Sequence, residues 1–347
     1  MRIIHRRVAG PHPGSERGGL PMKPDLILLG QFTVDHVVPA QPGPWEERIG
    51  GNVLYAAAAA RLWLEPARIG VVARLARNFP GDPAALLDGA GIACHNLPAQ
   101  AMEALVEWML YEPDGSRRSL PRNASLRSTG TETGNGAGDT YRRHLAALSA
   151  SVEDIPPAWL PAPAIYLAAQ VAERHRESVA RLRTRSEFLT VDPSPHYSRS
   201  RDVTGLVALL KGTSAFLPGE HEVRHLAAGG WQMLAARLQT AGFPEVCLQR
   251  GAEGVLVATP GGVTPLPAPE TIALDPTGAG DAFGGAYAAC RLQGLPPLES
   301  ARRAQVAAAL VVECRGAPAA LALDPLEAAR RMGLEPPAGD KPTDGES

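Results

Sequence analysis

A carboxylate that closely follows a pair of glycines can serve phosphoryl transfer. The glycines let backbone N–H groups converge on a phosphate, and the carboxylate takes a proton from the attacking hydroxyl. The sequence offers this arrangement twice, in TGNGAGDTYRR (residues 133–143) and in DPTGAGDAFGGAY (residues 275–287). Composition alone gives roughly a few per cent chance of meeting Gly-Ala-Gly-Asp in a chain of this length, so context must separate the two. The second copy follows TIAL (residues 271–274), a short apolar run expected to be a strand, and opens a small-residue helix over residues 281–293. Gly278, Ala279 and Gly280, preceded by Thr277, would then supply amides at a helix N-terminus, with Asp281 as general base in the first turn. The first copy follows the polar run RNASLRSTGTE, with no strand to aim it. It is expected to be a flexible loop ahead of a helix, with no role for Asp139.

A different chemistry is spelled by His221-Glu222-Val223-Arg224-His225, a literal H-E-x-x-H in which two histidines one helical turn apart bind zinc and the glutamate acts as base. Pro218-Gly219 lies directly upstream, where a zinc-binding helix would run in through apolar residues. Trp231 stands where a third histidine would be, and the distant candidate ligand Glu245 follows Phe243-Pro244 at a strand start. Solvent-facing histidines are the simpler reading, with a zinc hydrolase as the rival.

The elements needed to position such residues can be read from periodicity. Near-continuous apolar runs at residues 26–30, 69–73, 164–168, 188–192, 213–217 and 245–249 suit strands buried on both faces. Helical stretches alternate with them at 52–64, 172–185, 220–240 and 281–293. The pattern predicts an α/β fold, a doubly wound and mostly parallel sheet with helices on both faces. Residues 104–120 break it with period-two alternation around Asp114-Gly115, a dipeptide suited to a tight hairpin turn. With the Pro-rich stretch after the first strand, they predict a small β-sheet lid from about residues 36–50 and 95–121.

DPTGAGDAFGGAY resembles the C-terminal signature of the ribokinase-like, or PfkB, carbohydrate kinase family, and further signatures of that family stand in the right order along residues 22–332. LLGQFTVDHVV is similar to its first strand and following aspartate, here Asp35. GGNVLYAAAAARL is similar to the start of its glycine-led first helix, GAEGVLV to its turn near the nucleotide phosphates, and VVECRGAPAAL to its C-terminal helix and loop. The resemblance implies transfer of the γ-phosphate of ATP to a hydroxyl of a sugar or nucleoside. Asp281 would be the base, Gly278, Ala279 and Gly280 the anion hole, and Asp35, Gly50, Gly51 and Asn52 the binders of the acceptor's hydroxyls. Gly251, Gly254, Thr277 and Glu222 would serve the nucleotide, Glu222 would organise Mg²⁺ indirectly, and Asp275 matches a monovalent-cation position that would take K⁺. Without the family, Asp35 reads as a turn residue ending a strand and Asn52 as a helix N-cap.

The sequence also departs from that family. Gly219 stands where an asparagine is expected ahead of Glu222, and Gln249 or Arg250 replaces a threonine before the Gly251 turn. An acidic, glycine-flanked segment is blurred to VARLARNFPGD. A weakly catalytic regulator that binds sugar or nucleotide is therefore an alternative. No Gly-Lys-Ser/Thr loop occurs, and no strand ending in an acidic residue follows GAGDAFG as a dinucleotide site requires.

Bulk properties fit a globular enzyme. The 347 residues are 45% hydrophobic with a net charge of −2, which gives no electrostatic reason for a nucleic-acid or membrane partner. Lysine occurs only at positions 23, 211 and 341 while arginine is abundant, so arginine clusters are read as compositional bias. The four cysteines lie far apart, as in a reducing cytoplasm, and no run of about 18 apolar residues is present. Residues 1–21 are expected to be a disordered extension, with Met22 a candidate start, residues 22–335 the kinase domain, and 336–347 a disordered tail. An exposed lid edge offers a surface for a homodimer.

Overall fold

The computed structural model describes residues 23–38, 46–99, 101–111, 117–121 and 135–334. The N-terminal extension, the C-terminal tail and the Asp114-Gly115 turn lie outside them. Strands β1 (Leu26–Leu29), β4 (Ile69–Ala76), β5 (Ala93–Ala99), β8 (Ala162–Leu167), β9 (Ser186–Val191), β10 (Ala215–Phe216) and β11 (Glu245–Gln249) run parallel. The antiparallel strands β12 (Val255–Thr259) and β13 (Gly262–Leu266) complete one edge, giving nine strands in the order β13-β12-β11-β10-β9-β8-β1-β4-β5. Leu26, Ile27, Leu28 and Leu29 are fully buried, as a strand covered on both faces requires. From β1 the chain builds one side through β4 and β5, and later the other through β8 and β9. A crevice therefore opens at the carboxyl ends of β1 and β8, the usual ligand position in such sheets.

A second sheet, ordered β3-β2-β6-β7, is formed by β2 (Thr33–Val38), β3 (Glu46–Gly50), β6 (Val106–Tyr111) and β7 (Arg117–Pro121). The lid range is corrected in two places. It begins at Thr33, and residues 95–99 belong instead to β5, where Ala93 to Ala99 pair with Gly70 to Ala76 of the main sheet. The expected helix over 220–240 is also broken. Gly229 and Gly230 both have left-handed φ values, 109° and 97°, and separate the short α7 (Glu220–Val223) from α8 (Trp231–Ala241). The run 271–274 forms no strand. Ile272 and Leu274 are 79% and 56% exposed, and the N–H groups of Leu274 and Asp275 both donate to the Val312 carbonyl, at 2.8 and 3.0 Å.

Two helices hold the site together. All nine residues of α1 (Asn52–Ala60) are buried, and α9 (Ala279–Leu292) is buried from Ala282 to Cys290. They meet backbone to backbone: a Cβ on Gly285 would lie 2.2 Å from the Ala56 carbonyl oxygen, and one on Gly284 would lie 2.4 Å from the Tyr166 ring. The alanines of α1 and the glycines of α9 permit this approach. Gly285→Ala is expected to cost about 1–3 kcal/mol by overpacking. Gly89→Ala, at the end of α2 (Pro83–Gly89) where an added methyl meets open space, should be neutral or gain up to about 1 kcal/mol. Urea unfolding of the two variants checks the contrast.

Candidate active site

At the switch point, Asn52 spans the two strand ends. Its Oδ1 accepts from the Gln31 N–H at 3.0 Å, and its Nδ2 donates to the Ala169 carbonyl at 3.1 Å. Asn52 is thus the first residue of α1 and a bracket between β1 and β8. The N-cap is Gly51, whose φ of 119° and close approach to the Gln31 carbonyl admit no side chain. Beside it, Asp35 of β2 is buried, with Thr33 Oγ1 donating to Oδ1 at 2.6 Å and the Tyr55 hydroxyl to Oδ2 at 3.5 Å. A Cβ on Gly50 would collide with the Asp35 carboxylate at 1.9 Å. The absence of a side chain there is what lets the carboxylate occupy its place.

Tyr55 connects this half to the next. Its ring packs on Gly278, where a Cβ would lie 2.2 Å from the ring carbon Cγ, and Gly278 has a left-handed φ of 78°. Gly278 is the N-cap of α9, with no capping side chain, and Asp281 sits half-buried in the first turn. The turn is braced by Asp275, whose Oδ1 accepts from the Thr277 N–H at 3.0 Å. The other oxygen of Asp275 forms an ion pair with Arg48 of β3. Its charge is already neutralised, so Asp275 does not fit the expected K⁺ ligand.

Opposite Asp281, two further carboxylates converge. Asp192, directly after β9, is 7% exposed and Glu222 of α7 is 5% exposed. Burial first, then the negative charges of Glu222 and Asp281, push the Asp192 carboxyl well above the usual range. The Tyr166 hydroxyl donates to it at 3.3 Å, and the same surroundings push the Tyr166 phenol up. Glu222 Oε2 accepts from the Gly219 N–H at 2.8 Å. Gly219 and Gln249, the two departures from the expected pattern, form a parallel bridge with each other. Gln249 also donates through Nε2 to the Leu217 carbonyl at 3.0 Å, and its Oε1 lies 3.7 Å from where a Gly280 Cβ would stand.

Hard carboxylate oxygens suit Mg²⁺, which keeps its waters and needs only one or two protein carboxylates. Asp192 and Glu222 fit that demand. The zinc alternative does not fit. His221 lies on α7, which ends at Val223, and His225 lies in a tighter turn where its Nε2 pairs with the Arg201 carbonyl at 2.8 Å. No cluster of three or more metal-ligating side chains occurs among the described residues. Gly254, with φ of 89°, is required by the approach of the Leu266 carbonyl, while Gly251 at φ 54° faces open space. The upstream Gly-Ala-Gly-Asp is not a loop. It lies inside α3 (Asn135–Leu148), and the strand that precedes it among the described residues, β7, belongs to the second sheet.

Residues 164–322 match the pfkB family carbohydrate kinase description. In solved structures, a putative ribokinase II in complex with ATP and Mg²⁺ from E. coli superposes with a TM-score of 0.62 at 19% identity, covering 89% of this chain and 99% of that one. The fold is ribokinase-like, and the pfkB match takes in just under half of the chain. A 2-dehydro-3-deoxygluconokinase of Escherichia coli (strain K12) is 40% identical over 86 residues, 24% of this chain and 28% of that protein, so the match spans about a quarter of that relative. A cytidine kinase of Thermococcus kodakarensis is 27% identical over 291 residues, covering 80% of this chain and 92% of its own. Among the described residues, no helix is long and apolar enough to cross a membrane.

Three residues of the candidate site escaped the sequence reading. Asp192 ends the run FLTVD, and a carboxylate at the carboxyl end of a buried parallel strand was the available signal. Tyr55 was hidden inside an alanine-rich helix, and Arg48 among arginines discounted as compositional. Because the Asp192 carboxyl is held above its unfolded value, ionising it opposes folding: the protein is unpenalised at low pH and loses stability as pH rises through the raised value. Asp192→Asn should therefore raise the melting temperature at pH 8 by about 1–2 °C for each kcal/mol of repulsion removed. At pH 4 the gain should shrink, as parallel melts at the two pH values will show.

Proposed function

We propose that the chain is an ATP-dependent phosphotransferase acting on a hydroxyl of a sugar or nucleoside. The observation that carries this reading is the convergence of Asp281 with the uncapped start of α9 on one side and the buried Asp192 and Glu222 on the other. Asp281 would take the proton of the acceptor hydroxyl, while the amides of Gly278, Ala279 and Gly280 stabilise the charge developing on the transferred phosphoryl group. Asp35, joined to the phosphate loop through Tyr55, would orient the acceptor together with Gly50, Gly51 and Asn52. Asn52 has its bracket bonds to keep, so its contribution is to shape the floor. Glu222 and Asp192 would hold Mg²⁺ through its waters, and the ion would offset phosphate charge. Thr277 and the Gly251–Gly254 turn would border the nucleotide phosphates. The four-stranded sheet would close over the acceptor and exclude water, so that phosphate passes to substrate instead of being hydrolysed.

The Gly219–Gln249 bridge favours a second reading, a binder with little transfer, because both positions where polar nucleotide contacts were expected are used to tie β10 to β11. A screen of Mg-ATP consumption across sugars, sugar acids and nucleosides separates the two. Acceptor-dependent ADP release is expected, and Asp281→Asn should lower it by about 10²–10⁴-fold while sparing nucleotide binding. Asp139→Asn should leave the rate unchanged. ATP binding with no ADP from any acceptor would favour the binder. Homodimerisation through the lid edge strand β7 belongs to the same proposal, and sedimentation at several concentrations should show a species of twice the monomer mass.

A further inference from the structure

The loop that leads into α9 is fastened by a charge from the lid. Asp275 is 2% exposed, and its two oxygens serve different partners, the Thr277 N–H and the Arg48 guanidinium. Arg48 is itself held on both sides. Its Nε and Nη2 donate to Glu46 Oε2 at 3.0 and 2.7 Å, and Arg315 donates to the other oxygen of Glu46 at 3.1 Å. Its stem runs beside Gly316, where a Cβ would stand 3.0 Å from Arg48 Cδ. The guanidinium is therefore fixed, largely buried, and placed by β3 of the second sheet. A buried carboxylate needs a counter-charge. A diffusible cation brought to Asp275 would meet the guanidinium's like charge.

We propose that Arg48 is a positioning residue that replaces a monovalent cation: its guanidinium fixes Asp275 and the Thr277–Gly278 turn, making the phosphate site independent of K⁺ and linking its order to the position of the lid. The catalytic part of this inference rests on the phosphotransferase reading, and its structural part does not. The full chain, wild type, Arg48→Ala and Arg48→Lys, is melted and assayed for ADP release in KCl, NaCl and tetramethylammonium chloride at equal ionic strength. Wild type should melt at one temperature in all three salts, with rates differing by less than about fivefold, the low end of an ordinary coupling. Arg48→Ala should melt lower and lose about tenfold to a hundredfold in rate through misplacement of the turn. K⁺ or dilute guanidinium, but not tetramethylammonium, should restore both, and Arg48→Lys should need less rescue. A wild type that melts higher or turns over more than about fivefold faster in KCl overturns the proposal, as does an Arg48→Ala variant that matches wild type in every salt. If Arg48→Ala does not fold, the wild-type salt series alone decides. If no acceptor yields ADP, the phosphotransferase reading fails separately and the melts still decide the structural part.

Discussion

The closeness of α1 and α9 is the constraint on which the remaining geometry depends. Helices with ordinary side chains between them stand 8–10 Å apart. Here Gly285 leaves no side chain between its own backbone and that of Ala56. Both helices start at the crevice, α1 with Gly51 and Asn52 and α9 with the Gly278 turn, so their contact fixes the spacing between the Asp35 and Asp281 halves of the site. Tyr55 is the local expression of that spacing. It touches Gly278 with its ring and Asp35 with its hydroxyl, and a larger separation of the helices would break the first of these contacts.

The electrostatics of the crevice are arranged around an excess of carboxylates whose partners differ. Asp275 is neutralised by a guanidinium of the same chain. Asp192, Glu222 and Asp281 lie close enough to raise the Asp192 carboxyl, which accepts from the Tyr166 hydroxyl while Glu222 accepts from the Gly219 N–H. The first arrangement gives a loop whose order is independent of solution ions. The second gives a region that is strained when ionised and that divalent positive charge would relieve. Stability lost at the second region is the condition for binding there, as is common where ionisable groups are crowded at a functional site.

What could be read from the sequence follows from what is local. The strands at Leu26–Leu29 and Glu245–Gln249 were legible because burial on both faces leaves a near-continuous apolar run. The second Gly-Ala-Gly-Asp was correctly placed at a helix start, yet one reason given for it was wrong: TIAL is an exposed loop tied to Val312, and its apolar residues pack no sheet. Residues 95–99 were misassigned to the lid although the period-two alternation begins only at Ala104; they pair with β4 at the edge of the main sheet. Tyr55, Arg48 and Asp192 were missed because each acts through a partner remote in sequence. Arg48 and Asp275 are 227 positions apart, and no spacing rule spans that distance.

The same long separation shapes how the protein must be made. At ribosomal rates of about 5–20 residues per second, the nine residues of α1 leave the ribosome on the order of ten seconds or more before α9 arrives to cover them. A leucine-rich face would be a hazard over such an interval. A face of alanines exposes little apolar area per residue and gives other chains little to hold. The small side chains that allow two backbones to touch in the finished molecule thus also keep its first helix inconspicuous while it waits.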